Sequence, residues 1–185
     1  MNKLIVAACA VALAVAAQAA TFDWKTSGTG KLYNGTSSET YNGTAYLFST
    51  ADFTQQAILS AWDSGAFSAD KALGTKTVKA GAIAGGTIDW GSAGDVLTAF
   101  IVVNDGDKIF ISDTKSGAGT QATTVTLSYA LKSGSQVDPI EFEKGAAKFS
   151  AQGWYKSTGG GVPEPTSGVL LLIGMAGLAL RRKQK

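Results

Sequence analysis

Hydrophobic and polar positions divide the chain into an apolar start, a long body of short alternating runs, and an apolar end closed by cations. In the body the strongest pattern is the pair 96–104 and 107–113. Phe100-Ile101-Val102-Val103 faces Ile109-Phe110-Ile111 across a two-residue turn expected at Asp105-Gly106. Both faces of the first run are apolar, which predicts a strand in the middle of the fold. Further short strands are expected at 75–80, 82–83, 87–90, 123–132, 139–142 and 148–155, where β-branched and aromatic residues lie between Gly-rich breaks. One stretch has helical spacing instead. Phe53, Ala57, Ile58 and Trp62 form a stripe that predicts a helix over 52–62, capped by Ser49, Thr50 or Asp52 and ended by Gly65. Between 21 and 48 the chain is polar and Gly-rich, and Tyr33-Asn34-Gly35-Thr36 is repeated as Tyr41-Asn42-Gly43-Thr44. Asn-Gly favours positive φ, so the repeat predicts two consecutive hairpin turns. Many short strands with one helix indicate a mainly β fold, a small β-sandwich or jelly-roll-like domain with one packed helix, followed by a C-terminal apolar helix.

The ends have their own logic. Lys3, an apolar run over 4–17 and the small-residue close Ala17-Gln18-Ala19 form a secretory signal peptide over 1–19, with Ala17 and Ala19 as its recognition residues and the cut after Ala19. Val6-Ala7-Ala8-Cys9 is similar to a lipoprotein box, but too little apolar chain precedes it. The exported β-rich domain then covers 20–156, and a Gly/Ser/Thr linker covers 157–161. In the tail, 162–185, Pro163 and Pro165 fix their own φ and push Val162 and Glu164 toward extended geometry. The apolar run 169–180 gives a helix of about 18 Å, or about 22 Å if it starts at 166, against a hydrocarbon core near 30 Å. Arg181, Arg182, Lys183 and Lys185 hold its far end on the cytoplasmic side and offset the short span by snorkelling.

Charge and composition narrow the chemistry. Lys and Arg total 16 and Asp and Glu 14, but five of the cations lie in the leader and tail, so the body is slightly acidic and the pI near 8.6 gives no support for nucleic-acid binding. There is no His, and the single Cys, Cys9, lies in the leader. The exported domain therefore lacks an imidazole base, a thiol nucleophile, a disulfide and a Cys/His metal set, and no cofactor or metal is expected.

Several residue groups still carry candidate chemistry. Ser68-Ala69-Asp70-Lys71 fits the Ser-x-x-Lys pattern of penicillin-recognising enzymes, with Lys132-Ser133-Gly134 as a later basic element. Ser112-Asp113-Thr114 lacks the Asn that the pattern needs, and the domain is small for that architecture. Glu141 and Glu143 flank Phe142 at a strand spacing that would set two carboxylates about 7 Å apart, though a solvated strand face has the same spacing. Asn104-Asp105-Gly106-Asp107 offers oxygen ligands without a full calcium loop, and Asp89 with Asp95 is equally unspecific. Asn34 and Asn42 lie in Asn-x-Thr glycosylation patterns. Trp90, Trp154 and Tyr155 would form a sugar-stacking platform if they shared one exposed face, whereas large aromatics more commonly pack in a core. None of these groups makes a catalytic constellation, and an enzyme is not expected.

Pro163-Glu164-Pro165, the short apolar helix and the basic end at Arg181-Arg182-Lys183 together resemble the PEP-CTERM sorting signal of exported bacterial proteins. A GPI signal has a similar order, but the Pro-Glu-Pro motif and terminal cations depart from it. The leader implies delivery by the general secretion machinery and the C-terminal helix insertion in the membrane, while the resemblance implies recognition by an exosortase, a membrane-embedded cysteine protease or transpeptidase. It also implies association with the envelope and exopolysaccharide. The expected role is structural or adhesive at the cell surface or in the extracellular matrix, with a carbohydrate-binding module acting on exopolysaccharide as the alternative.

Overall fold

The computed structural model describes residues 19–28, 30–34, 39–120, 123–131 and 138–159. They form a mainly β structure of two sheets and one helix. The smaller sheet has the order β5 (Thr87–Ser92), β1 (Ala19–Thr26), β9 (Val125–Tyr129), with β1 antiparallel to β5 and parallel to β9. The larger runs β10 (Ile140–Glu143), β11 (Gly153–Thr158), β7 (Ile109–Ile111), β6 (Val96–Asn104), β2 (Gly43–Ser49), β3 (Gly74–Lys79), β4 (Ala82–Ile83), and β8 (Lys115–Ala118) pairs with the first half of β6.

Strand β6 organises both layers because successive side chains alternate sides. Leu97, Ala99, Ile101 and Val103 enter one core with Phe22, Trp24, Leu127 and Tyr129 of the smaller sheet. Phe100 and Val102 enter a second core with Phe48, Ile58, Leu59, Ile109, Ile111 and Tyr155, covered by helix α1 (Gln55–Asp63). All six are fully buried, which is why this strand reads as a continuous apolar run.

The β6–β7 hairpin forms with its turn displaced by one residue. Asn104 pairs with Ile109, Asp105 N–H donates to the Lys108 carbonyl, and Gly106-Asp107 make the turn. Gly106, at φ 80°, is the centre of a γ-turn that Asp107 N–H closes on the Asp105 carbonyl, a backbone conformation that favours glycine. Beyond Ile111 a bulge intervenes, since Val102 pairs with Ile111 but Ala99 with Lys115, leaving three residues opposite two. Ser112 closes the gap: its N–H donates to the Ile101 carbonyl and its Oγ accepts from Ile101 N–H at 2.8 Å.

The helix starts later than its stripe suggests. Ser49 and Thr50 are occupied with the end of β2, their atoms bonding Ala51, Asp52, Phe53 and Thr98, so Thr54 is the N-cap and accepts from Ala57 N–H at 3.1 Å. Ala57 is exposed, and Leu59 is buried in its place. At the other end Gly65 N–H bonds the Trp62 carbonyl and Ala66 N–H that of Ala61, the paired bonds of a Schellman stop.

The repeated tetrapeptide splits into two different structures. Tyr33 bridges Thr40 and Asn34 N–H donates to Glu39, so the first copy enters an antiparallel excursion. The second copy is no turn. Gly43 opens β2, and Asn42 Oδ1 accepts from Ala80 N–H at 2.8 Å. Ala80 and Gly81 make the actual β3–β4 turn with φ 48° and 75°.

At the C-terminal end β11 runs through Ser157 and Thr158, paired with Phe142 and Glu143 of β10, so the strand takes the first two residues expected in the linker. Among the described residues no helix is long and apolar enough to cross a membrane; the signal-peptide stretch before Ala19 and the apolar helix expected within 162–185 lie outside them. The two ends of the described chain diverge. Ala20 lies against Gly119, beside the Val96 end of β6, whereas β11 advances past the Asn104 end.

Candidate functional sites

The structure does not bring Trp90, Trp154 and Tyr155 onto one exposed face. Trp154 and Tyr155 are neighbours on β11 and so point to opposite sides of the sheet. Trp154, 4% exposed, lies edge-on to Tyr41 and Phe110 and donates from Nε1 to the Tyr33 carbonyl at 2.7 Å. Tyr155, fully buried in the helix-side core, accepts from the Ser150 and Ala151 N–H groups through Oη. Trp90 is half-buried on the smaller sheet, edge-on to Phe22. The sugar platform held as the alternative does not form at these three positions, because strand parity and core packing claim two of them.

Several other candidates are likewise held in the fold, whereas the two glutamates are exposed. Ser68 Oγ accepts from Asp70 N–H in an exposed turn, and Ser112 is the buried bulge residue; Lys132 lies outside the described residues. Glu141 and Glu143 are exposed on edge strand β10, and Phe142 between them packs against Trp62. Asn104 Oδ1 accepts from Gly106 N–H and from Trp62 Nε1, tying the hairpin to the helix. Asp89 accepts from Thr21 Oγ1 at 2.9 Å and Asp95 from Ser92 N–H at 2.7 Å. Among the described residues no three His, Cys, Asp or Glu side chains are placed to hold a metal ion.

One polar cluster was not anticipated. Asp23 of β1 accepts from Gly86 N–H at 2.6 Å and from Lys76 Nζ at 3.3 Å, with Lys25 Nζ at 3.6 Å. Lys76 also donates to the Trp24 carbonyl and lies 4.5 Å over the Trp24 ring. Burial pulls the Asp23 carboxyl upward, but the Gly86 N–H and the two ammonium groups outweigh it and hold it below the ordinary aspartate value. At Lys76 burial dominates its bond to Asp23 and lowers the ammonium. The Gly86 N–H together with the ammonium groups thus wins at one partner and desolvation at the other. Of this cluster Lys76, Trp24 and Gly86 line a groove of about 400 Å³ with Thr75, Thr77, Gly85 and Thr87, where the edge of β3 faces the chain entering β5. The alternation Phe22, Trp24 against Asp23, Lys25 is the signal that would have found it, since it marks a half-buried strand in a stretch read as turns.

A second cluster sits at the hairpin end. Lys108 Nζ donates to Asn34 Oδ1 at 2.6 Å, pairs with Asp105 at 3.4 Å and lies 5.0 Å over the Trp154 ring. Burial, reinforced by Asp105, pushes the neighbouring Tyr41 hydroxyl up to about 12. Both tetrapeptide asparagines are therefore occupied, Asn34 by Lys108 and Asn42 by Ala80.

What the geometry describes is a β domain whose polar side chains serve its own loops and turns, running almost to the Pro-Glu-Pro segment. A family model described as the PEP-CTERM protein-sorting motif matches residues 161–183, just beyond the end of β11. The chain thus carries a PEP-CTERM sorting signal, which implies an exported protein sorted to the cell envelope through an exosortase. No curated protein and no solved structure matches the chain.

Proposed function

We propose that the body is a non-catalytic structural or adhesive module of the cell surface or extracellular matrix, delivered by the leader, held briefly by the C-terminal helix and released from it by exosortase. Pro163, Glu164 and Pro165 present the stiff extended segment for recognition, and Arg181, Arg182 and Lys183 fix the cytoplasmic end of the helix. The observation that carries this reading is the matched signal directly after a β domain in which Ser112, Trp154 and Tyr155 are committed to a bulge and to core packing. A surface of that kind suits a scaffold. Among its described residues Val96 is the one large hydrophobic left exposed, which favours a polar, hydrated setting such as a glycan matrix.

Mass spectrometry of the protein recovered from envelope and medium tests the route. The expected species starts at Ala20 and lacks the cationic end. If the intact chain through Lys185 is the sole mature form, the release step is wrong. Replacing Pro163 and Pro165 by Ala should leave the uncut form in the membrane fraction.

A further inference from the structure

The three-stranded sheet contains the bond at which the leader is to be cut. In the folded chain Ala19 pairs with Ser92 and Ala20 with Trp90, at the start of β1. Ala20 and Phe22 have no exposed surface. Gly119 presses on Ala20 so closely that a Cβ on it would stand 2.4 Å from the Ala20 Cβ. A protease takes its substrate as a free extended segment, with the backbone groups of the scissile residues unpaired and room on both faces. Here one backbone edge of the segment is taken by β5 and the Ala20 face by Gly119.

We propose that closure of the three-stranded sheet and removal of the leader exclude one another, so that β1 is released before it docks and a precursor that folds first keeps its leader. This rests on the reading of 1–19 as a signal peptide. The step itself is hydrolysis: water adds across the Ala19–Ala20 amide, leaving the carboxylate on Ala19 and the amine on Ala20. Freeing that bond from the closed sheet means withdrawing Ala20 from beneath Gly119 and lifting Thr21 and Phe22 from β5. That local opening is set by the stability of the sheet and not by the peptidase. The groups that cover the bond lie on β5 and at Gly119, so it stays accessible until the chain has emerged past Gly119.

An order-of-addition experiment on the full-length precursor tests this. Precursor unfolded in urea is diluted into detergent either with signal peptidase already present or after a refolding interval, and the products are identified by mass. Cleavage after Ala19 is expected in the first order and to fall by roughly tenfold or more in the second, as protection by a closed sheet requires. Gly119→Val, whose side chain occupies the place of Ala20, should restore cleavage in the second order. Equal cleavage in both orders overturns the exclusion, as does a Gly119→Val precursor that stays resistant. A precursor cut after Ala19 in neither order removes the leader reading, and the proposal with it.

Discussion

Tyr41 shows how a single side chain ties the hairpin end together and makes it sensitive to alkali. Its ring lies against Trp154, and its hydroxyl is raised from 10.0 to about 12 by burial first and Asp105 second. A group whose folded value is raised contributes stability that is complete below its unfolded value and is lost as pH climbs through the folded one. The melting temperature should therefore fall between about pH 10 and 12, and Tyr41→Phe, which cannot ionise, should blunt that fall, as differential scanning calorimetry across the range will show. Tyr129, raised by burial and bonded to the Ala99 carbonyl, adds to the loss in the same direction. Lys76 acts oppositely, because its lowered value means that the folded state gains as the ammonium deprotonates. Asp23 belongs to the acid limb: its share is present above the ordinary aspartate value and disappears as pH drops through the lowered one.

The β3–β4 hairpin carries strain that a substitution will relieve. Ala80 holds φ 48°, a region that costs an ordinary residue about 1–2 kcal/mol, and its N–H is engaged by Asn42 while its side chain is exposed. Asn enters this region more readily, so Ala80→Asn should raise the melting temperature by about 2–4 °C. The break at Gly81 between the strands expected at 75–80 and 82–83 marked the place of that turn but not the strain at Ala80, because Ala-Gly is not a favoured hairpin pair, whereas Asn42-Gly43, a favoured one, leads into β2. The elements that were legible are those where apolar alternation is long and uninterrupted, as in β6 and β7. Strands β1 and β2 were hidden by the polar, Gly-rich company they keep, and β8 by having no apolar residue larger than Ala. The helix boundary was blurred by several capping residues in a row, of which Ser49 and Thr50 were taken by tertiary bonds. Parity alone could have removed the sugar platform, since adjacent Trp154 and Tyr155 on one strand cannot share a face. The sorting signal was legible because its order of residues is local and does not depend on the fold.

The last part of the described chain is not an appendage to the domain. Gln56 bonds Ala147 and Phe149, Asp63 bonds Gly145 and Ser157, Gln152 bonds Asp113 and Ala130, and Trp154 bonds Tyr33. A chain stopped after Gly159 is therefore expected to melt within about 2 °C of the full protein, the span of a typical surface change. One stopped after 137 uncovers Ile109, Phe110 and Ile111 and should be recovered without a cooperative transition in circular dichroism. The opposed exits of the two ends have a further use. Strand β6 separates them by nine residues, about 30 Å at the usual rise per residue. A passenger fused ahead of Ala20 would ride on the side turned away from the exit of β11, so it would stand clear of the sorting signal and of whatever handles that signal.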